Sequence, residues 1–95
     1  MRRTHLTKIV ATLGPSSSDS KTIRQLFEAG TDVFRLNFSH GTHDNIRAIH
    51  AKIRRLEKQS ARPIAIMIDI QGPKLRIGTF SDGPIKVCAG DSFRL

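Results

Sequence analysis

The feature that most constrains the fold is the regular spacing of three short apolar runs along the chain. They occupy residues 8–13, 31–38 and 64–70, and each has the length and the β-branched content of a strand. Gly14-Pro15 ends the first run, and Arg62-Pro63 precedes the third. The pattern predicts three strands separated by two longer connections.

Segments with helical spacing fill both connections. The first covers residues 19–29, has Ile23, Leu26 and Phe27 on one face, and is followed by Gly30, where a helix-ending glycine belongs. The second covers residues 44–59. Its apolar positions recur at helical spacing, and its basic residues are expected on the far, solvated face. The apolar positions are Ile46, Ile49, Ile53 and Leu56. The basic residues are Arg47, Arg54 and Lys58.

The predicted order is therefore β-α-β-α-β, an α/β chain with repeating units of about 25–30 residues. Units of this size occur in a (β/α)₈ TIM-type barrel and equally in a doubly wound sheet. Because residues 64–70 are almost continuously apolar, we expect a parallel sheet that is covered on both faces.

After Asp69 the pattern changes. Gln71-Gly72-Pro73 predicts a turn, and residues 75–80, 85–88 and 92–95 are short candidate strands. The stretches 81–84 and 89–91 are rich in turn residues and separate them. Short strands with tight turns indicate an antiparallel element, with a boundary near residues 72–80.

Charge and cysteine content limit the partners and the compartment. Among 95 residues, sixteen Lys and Arg face eight Asp and Glu, a formal net charge of +8. This balance favours anionic partners, although a solvated basic surface explains it equally well. Cys88 is the single cysteine, which excludes an intramolecular disulfide. No run approaches the roughly 20 apolar residues of a membrane helix, and no signal-peptide core follows the basic start, so we expect a cytoplasmic protein without membrane partners.

Polar side chains gather where each predicted strand ends, which is where ligand sites form in parallel α/β folds. Arg35 can bind a phosphate or carboxylate, or it can pair with an acidic neighbour such as Asp69. Asn37 and Ser39 offer hard oxygens for a cation, or simple turn and cap chemistry. The strand-end residues are Thr12, Gly14, Arg35, Asn37, Ser39, His40, Asp69, Lys74 and Arg76.

Several familiar sites are absent from the sequence. It contains no G-x-x-x-x-G-K-[ST] phosphate loop, no G-x-G-x-x-G and no paired Cys and His of a zinc site. Aromatic residues make up 5% and all are Phe, which argues against a module that stacks single-stranded nucleic acid. We therefore expect no nucleic-acid partner.

Three segments carry a resemblance to a known family. TKIVATLGPSS (residues 7–17), FRLNFSHGTHD (34–44) and IDIQGPKLRIGTF (68–80) resemble the amino-terminal part of pyruvate kinases, in family order and spacing. The resemblance implies transfer of the phosphoryl group of phosphoenolpyruvate to ADP, with Mg²⁺ and usually K⁺, by a glycolytic enzyme that is usually a homotetramer. It also implies residues 1–72 as the start of the catalytic barrel and 73–95 as the start of an inserted β domain.

The resemblance also implies roles for individual residues. Arg35 matches an arginine that contacts the substrate phosphate, and Arg76 matches a second arginine near the nucleotide phosphates. The nucleotide-contacting stretch matches Asn37, Phe38, Ser39 and His40. The monovalent-cation ligands match Asn37, Ser39, Asp69 and Ile70.

The third segment departs from the commonest family pattern, D-T-K-G-P-E-I-R. Ile70 removes a hydroxyl and leaves a backbone carbonyl, and Lys74 replaces a glutamate. A Lys ammonium could take the place of K⁺ near Asp69, as in the potassium-independent type of the family. The catalytic lysine and the Mg²⁺ carboxylates of the family lie on later strands, so we expect no complete catalytic set in this chain. The alternative is a non-enzymatic basic module that binds phosphate or RNA.

Overall fold

The structure, a computed structural model, describes residues 5–94. It contains β1 (Val10–Leu13), α1 (Ser20–Ala29), β2 (Val33–Asn37), α2 (His43–Ser60) and β3 (Ala65–Asp69). A short 3-10 turn at Pro15–Ser17 precedes α1. The predicted β-α-β-α-β order is confirmed, with each strand somewhat shorter than predicted. The basic start at residues 1–4 and Leu95, the last residue of the third candidate short strand, lie outside the described residues.

The three strands form one parallel sheet in the order β1-β2-β3. Thr12 lies beside Arg35, and Asn37 lies beside Asp69, so the strands end close to one another at the carboxyl edge. An α/β fold with parallel strands is therefore confirmed. Three strands in sequential order occur both at the start of a barrel and in half of a doubly wound sheet, so the order itself does not separate the two.

One face of the sheet carries the core. Alternate residues of the strands, such as Phe34 and Leu36, pack against apolar side chains of both helices, as strand and helix periodicity require. The expectation of two covered faces is wrong for residues 5–94, because Val10 and Met67 on the other face remain 48% and 46% exposed. Both helices pack on the same face, so no described segment covers the other. The core comprises Leu13, Ile23, Phe27, Phe34, Leu36, Ile53, Leu56 and Ile64.

The ends of α1 follow from the residues predicted there. The carboxylate of Asp19 accepts the backbone N–H of Thr22 at 2.9 Å. Hydrogen bonding with the Thr22 side chain, followed by that with the Thr22 backbone, lowers the pKa of Asp19. Gly30 has φ of 126°, a conformation that glycine adopts most readily. The helix then closes with Thr31 N–H donating to the carbonyl of Leu26 at 3.1 Å.

A carboxylate near the end of α2 fixes the turn into β3. Oε1 of Glu57 accepts the backbone N–H of Ile64 at 2.8 Å, while Oε2 accepts from Arg54 at 2.9 Å. The Ile64 hydrogen bond, followed by that of Arg54, lowers the pKa of Glu57. The same Arg54 nitrogen donates to the Ile64 carbonyl at 3.0 Å. The prediction that Arg54 lies on a purely solvated face is therefore wrong, because its guanidinium reaches back to the turn.

Residues 70–94 contain no strand, which contradicts the prediction of short strands at 75–80, 85–88 and, as far as it is described, 92–95. Two of the three predicted turns form: Gly83 N–H donates to the Phe80 carbonyl, and Asp91 N–H donates to the Cys88 carbonyl, both at 3.2 Å. At Gln71-Gly72-Pro73 the chain only bends, at Pro73. A strand needs a neighbouring strand to satisfy its backbone, and this segment has none among the described residues. Its apolar side chains remain exposed, Leu75 fully so.

Across residues 5–94, neither helix combines the length and the apolar character needed to cross a bilayer.

Candidate functional site

A polar cluster lies at the carboxyl edge of the sheet and joins all three strands. Nη1 of Arg35 donates to the hydroxyl of Thr12 at 3.1 Å, and Nη2 of Arg35 forms an ion pair with Oδ2 of Asp69. Thr12, Arg35 and Asp69 belong to β1, β2 and β3 and lie on the face opposite the helices. Parallel pairing brings them together although 57 positions separate the first from the last along the chain.

The two contacts hold the guanidinium of Arg35 in one orientation. Its side chain is about a third exposed, at 30%, so its remaining N–H groups can reach a ligand at the sheet edge. The alternative considered from the sequence, that Arg35 pairs with Asp69, is confirmed. Pairing and ligand binding are compatible here, because a guanidinium has five N–H donors and these contacts use one on each terminal nitrogen.

The segment after β2 turns back over the sheet edge. Asn37 Oδ1 accepts the backbone N–H of Ser39 at 3.0 Å, and His40 N–H donates to the Asn37 carbonyl at 3.3 Å. Phe38 N–H donates to the backbone carbonyl of Asp69 at 2.9 Å, which extends the sheet contact by one bond. The turn chemistry predicted for Asn37 and Ser39 is therefore present.

The aromatic ring of Phe38 contacts the imidazole of His43, with ring centroids 5.9 Å apart and planes tilted by 58°. This contact joins the strand end to the first residue of α2. It makes a small, partly exposed platform of the kind on which a planar group can stack.

The remaining site residues predicted from the sequence are not brought into this cluster. Ile70, Lys74 and Arg76 lie on the exposed segment after β3. Within the described residues, neither Lys74 nor Arg76 forms a hydrogen bond or an ion pair with Arg35 or Asp69. The structure thus joins Arg35, Asn37 and Asp69, with Ile70 next to Asp69 in the chain, whereas Lys74 and Arg76 form no hydrogen bond or ion pair with this cluster within residues 5–94.

The donor atoms at the edge suit a monovalent cation better than a transition metal. Asn37 and Ser39 offer a carboxamide and a hydroxyl oxygen, and Asp69 has a second carboxylate oxygen besides the one that binds Arg35. Among residues 5–94 there is no group of three or more His, Cys, Asp or Glu side chains placed to hold a metal ion.

Sequence reasoning did not anticipate a second polar cluster near the amino end of β2. Oδ2 of Asp32 accepts the backbone N–H of Ile9 at 3.0 Å and lies 3.3 Å from Nε2 of His5. Its other oxygen lies 3.6 Å from Arg62. His5 is thus in contact with a largely buried carboxylate. No local pattern signals this cluster, because its members are far apart in sequence.

Comparison with known families matches residues 2–95 to a family described as pyruvate kinase, barrel domain. Curated relatives agree. A pyruvate kinase of Methylorubrum extorquens is 46% identical over 95 residues, covering 100% of this chain and 20% of the relative. One of Agrobacterium vitis is 48% identical over 87 residues, or 92% of this chain and 18% of the relative. One of Haemophilus influenzae is 43% identical over 94 residues, 99% of this chain and 20% of the relative. The chain thus spans about a fifth of the length of these relatives.

Proposed function

This chain belongs to the pyruvate kinase family, and we propose that it supplies part of the site at which phosphoenolpyruvate transfers its phosphoryl group to ADP, giving pyruvate and ATP. The observation that carries the proposal is Arg35, held at the sheet edge by Thr12 and Asp69 with N–H groups left for a ligand. Phosphoryl transfer depends on positioning and on neutralising phosphate charge. A fixed guanidinium serves both needs.

We assign Arg35 to the substrate phosphate. In this role Thr12 and Asp69 are positioning residues, since each contacts the guanidinium and leaves its outward N–H groups available. The substrate would then bind a side chain whose orientation is already fixed in the folded state, which reduces the entropy lost on binding.

In this proposal the nucleotide is bound by the turn after β2 and by one arginine from a distant segment. Asn37, Phe38, Ser39 and His40 surround the bend that leads into α2, and the Phe38 ring beside His43 offers a surface for a base or ribose. Arg76 would contact nucleotide phosphates from the segment after β3. That role requires the segment to approach the sheet edge when ligand is bound.

The cations are assigned by donor chemistry. Asn37, Ser39, the second carboxylate oxygen of Asp69 and the carbonyl of Ile70 are hard oxygens that fit a monovalent cation, and we assign the Lys74 ammonium to the place that K⁺ takes elsewhere in the family. Mg²⁺ neutralises phosphate charge in this reaction class. Asp69 is the one carboxylate of the described sheet-edge cluster, and Arg35 already pairs with it. We therefore assign the Mg²⁺ carboxylates to parts of the family fold other than residues 5–94.

The proposal also covers the architecture and the assembly of the complete enzyme. Residues 1–72 would form the first part of a (β/α)₈ barrel, with residues 73–95 starting an inserted β domain. The open sheet face and the unpaired segment 70–94 support this, because both need further strands to cover or pair them. A cytoplasmic homotetramer is the form we propose for the complete enzyme, by family membership.

The test uses the purified chain with phosphoenolpyruvate, ADP and Mg²⁺. We expect saturable binding of phosphoenolpyruvate without formation of pyruvate, since the catalytic set is incomplete. Pyruvate formation above background would contradict the partial site. Failure to bind phosphoenolpyruvate would contradict the assignment of Arg35.

Lys74 gives a second prediction, that phosphoenolpyruvate binding does not need K⁺. The Lys74 ammonium would supply the positive charge near Asp69 that K⁺ supplies elsewhere in the family. We expect Lys74→Glu to make the affinity depend on K⁺, measured by calorimetric titration with K⁺ or with a large organic cation as counter-ion. The matched control is Lys86→Glu, which makes the same charge change further along the exposed segment. If Lys74→Glu and Lys86→Glu respond to K⁺ alike, Lys74 has no role at the cation site.

A further inference from the structure

A groove between α1 and α2 carries a concentration of positive charge that the proposed site does not use. Its volume is about 370 Å³, and Leu56, which is buried, lies at its base. The lining residues are Ser20, Lys21, Arg24, Lys52, Arg55, Leu56 and Gln59. Four of these are cationic and none is acidic. None belongs to the cluster of Thr12, Arg35 and Asp69.

Two of the cations are tied across the helix pair. Nζ of Lys52 donates to the backbone carbonyl of Ser18 at 2.8 Å, and Arg24 donates to the side-chain oxygen of Gln59. Arg24 also lies 3.9 Å from Glu28 and is partly neutralised. These contacts fix the two ends of the groove.

The other two cations of the groove are Lys21 and Arg55. Along the chain, Lys21 lies between Ser18 and Arg24, and Arg55 lies between Lys52 and Gln59. Neither Lys21 nor Arg55 forms a hydrogen bond or an ion pair within residues 5–94. Their N–H groups are therefore available to a ligand in the middle of the groove.

The arrangement is electrostatically unfavourable without an anion. Lys21 and Arg24, and likewise Lys52 and Arg55, are like charges three residues apart on one helix, a spacing that is mildly destabilising. Lys21 also lies in the first turn of α1, where the helix dipole disfavours a cation. A bound anion would relieve both repulsions and would gain charge-assisted hydrogen bonds.

We propose that this groove binds a phosphorylated small molecule through its phosphate group, with Lys21 and Arg55 as the main contacts. The volume lies in the lower part of the range of small-molecule pockets. Among residues 5–94, no aromatic side chain lines the groove, which argues against a single-stranded nucleic acid as the ligand. The site is separate from the one proposed for phosphoenolpyruvate, so either can fail without the other.

Inorganic pyrophosphate is the probe, titrated into the purified chain by calorimetry at constant ionic strength. The double variant Lys21→Gln/Arg55→Gln should weaken binding by about tenfold or more, since each lost charged hydrogen bond costs at least that much. The control is Lys58→Gln/Lys86→Gln, which removes the same charge outside the groove and should change the affinity by less than about twofold. All titrations are made in the Arg35→Gln background, so that pyrophosphate bound at the sheet edge does not contribute.

Three results would overturn the proposal. Equal weakening by the two double variants would show a bulk charge effect, and a lack of saturable pyrophosphate binding in Arg35→Gln would place all pyrophosphate binding at the sheet edge. Tight, salt-sensitive binding of a single-stranded oligonucleotide without saturable pyrophosphate binding would assign the groove to a polymer. If the groove double variant fails to fold, Lys21→Gln alone is the test. Because Lys21 lies in the first turn of α1, Lys21→Gln relieves charge repulsion in the fold, and it should still weaken pyrophosphate binding by about tenfold.

Discussion

Truncation of one core residue, Ile53→Ala, tests whether the helix layer described here holds the fold together. Ile53 is fully buried, at 0% exposure, in the cluster between α2 and the sheet. The change removes three carbon atoms, worth about 0.8 kcal/mol each in lost transfer free energy, or about 2.4 kcal/mol. The cavity that remains adds to this, and measured Ile→Ala changes in cores cost about 2–5 kcal/mol. We expect a loss of about 3–4 kcal/mol from the free energy of unfolding.

The assay is urea unfolding followed by far-UV circular dichroism, because the chain has no Trp or Tyr for fluorescence and its helical signal comes from α1 and α2. Domains are stabilised by about 5–15 kcal/mol, so the variant should show a markedly lower midpoint. The matched control is Ile85→Ala, the same truncation at a side chain that is 59% exposed, with an expected change below about 0.5 kcal/mol. Equal midpoints for the two variants would refute the packing described here.

Two further predictions concern the end of α2. Because the pKa of Glu57 is lowered from its ordinary value of 4.5, its hydrogen bonds stabilise the fold above that pH and are lost as the pH falls through the lowered folded value. In Glu57→Gln the urea midpoint should therefore fall less steeply as the pH is lowered, whereas Glu28→Gln should keep the pH dependence of the unaltered chain. An unchanged pH dependence in Glu57→Gln would contradict the turn contacts. Ala61 has φ of 50° and ψ of 33°, so Ala61→Gly should stabilise the protein by up to about 1 kcal/mol. A fall in the thermal midpoint of Ala61→Gly would show that this left-handed conformation is not the one that the protein adopts.

Sequence patterns that act over a few residues correctly predicted the helices and two of the turns. Apolar spacing located both helices, and the glycine and capping positions at Gly30 and Asp19 set the ends of α1. The turns at 81–84 and 89–91 were predicted correctly for the same reason, since turn residues act over four positions. The short strands between them were wrong, because β-structure requires a partner strand that no local pattern supplies.

The site was predicted in part for a related reason. Because parallel strands end at a common edge, the sequence predicted that Thr12, Arg35 and Asp69 lie close together. It left open whether Arg35 pairs with Asp69 or binds a ligand, and it did not show that Lys74 forms no hydrogen bond with Asp69, which depends on the course of the segment after β3. The contacts of Asp32 with His5 and Arg62 could not be predicted from the sequence either, since they join residues that are distant along the chain. The site roles themselves stay predictions.

The measurement that tests the central claim most directly is the affinity of the chain for phosphoenolpyruvate, compared between the unaltered chain and Arg35→Gln. The change removes the guanidinium that Thr12 and Asp69 hold at the sheet edge. Loss of one charged contact weakens binding about tenfold or more, and we predict at least that loss for Arg35→Gln. The control is Arg47→Gln, whose side chain is 81% exposed on α2, with affinity close to that of the unaltered chain. Equal affinities for Arg35→Gln and Arg47→Gln would contradict the assignment of the substrate phosphate to this edge of the sheet.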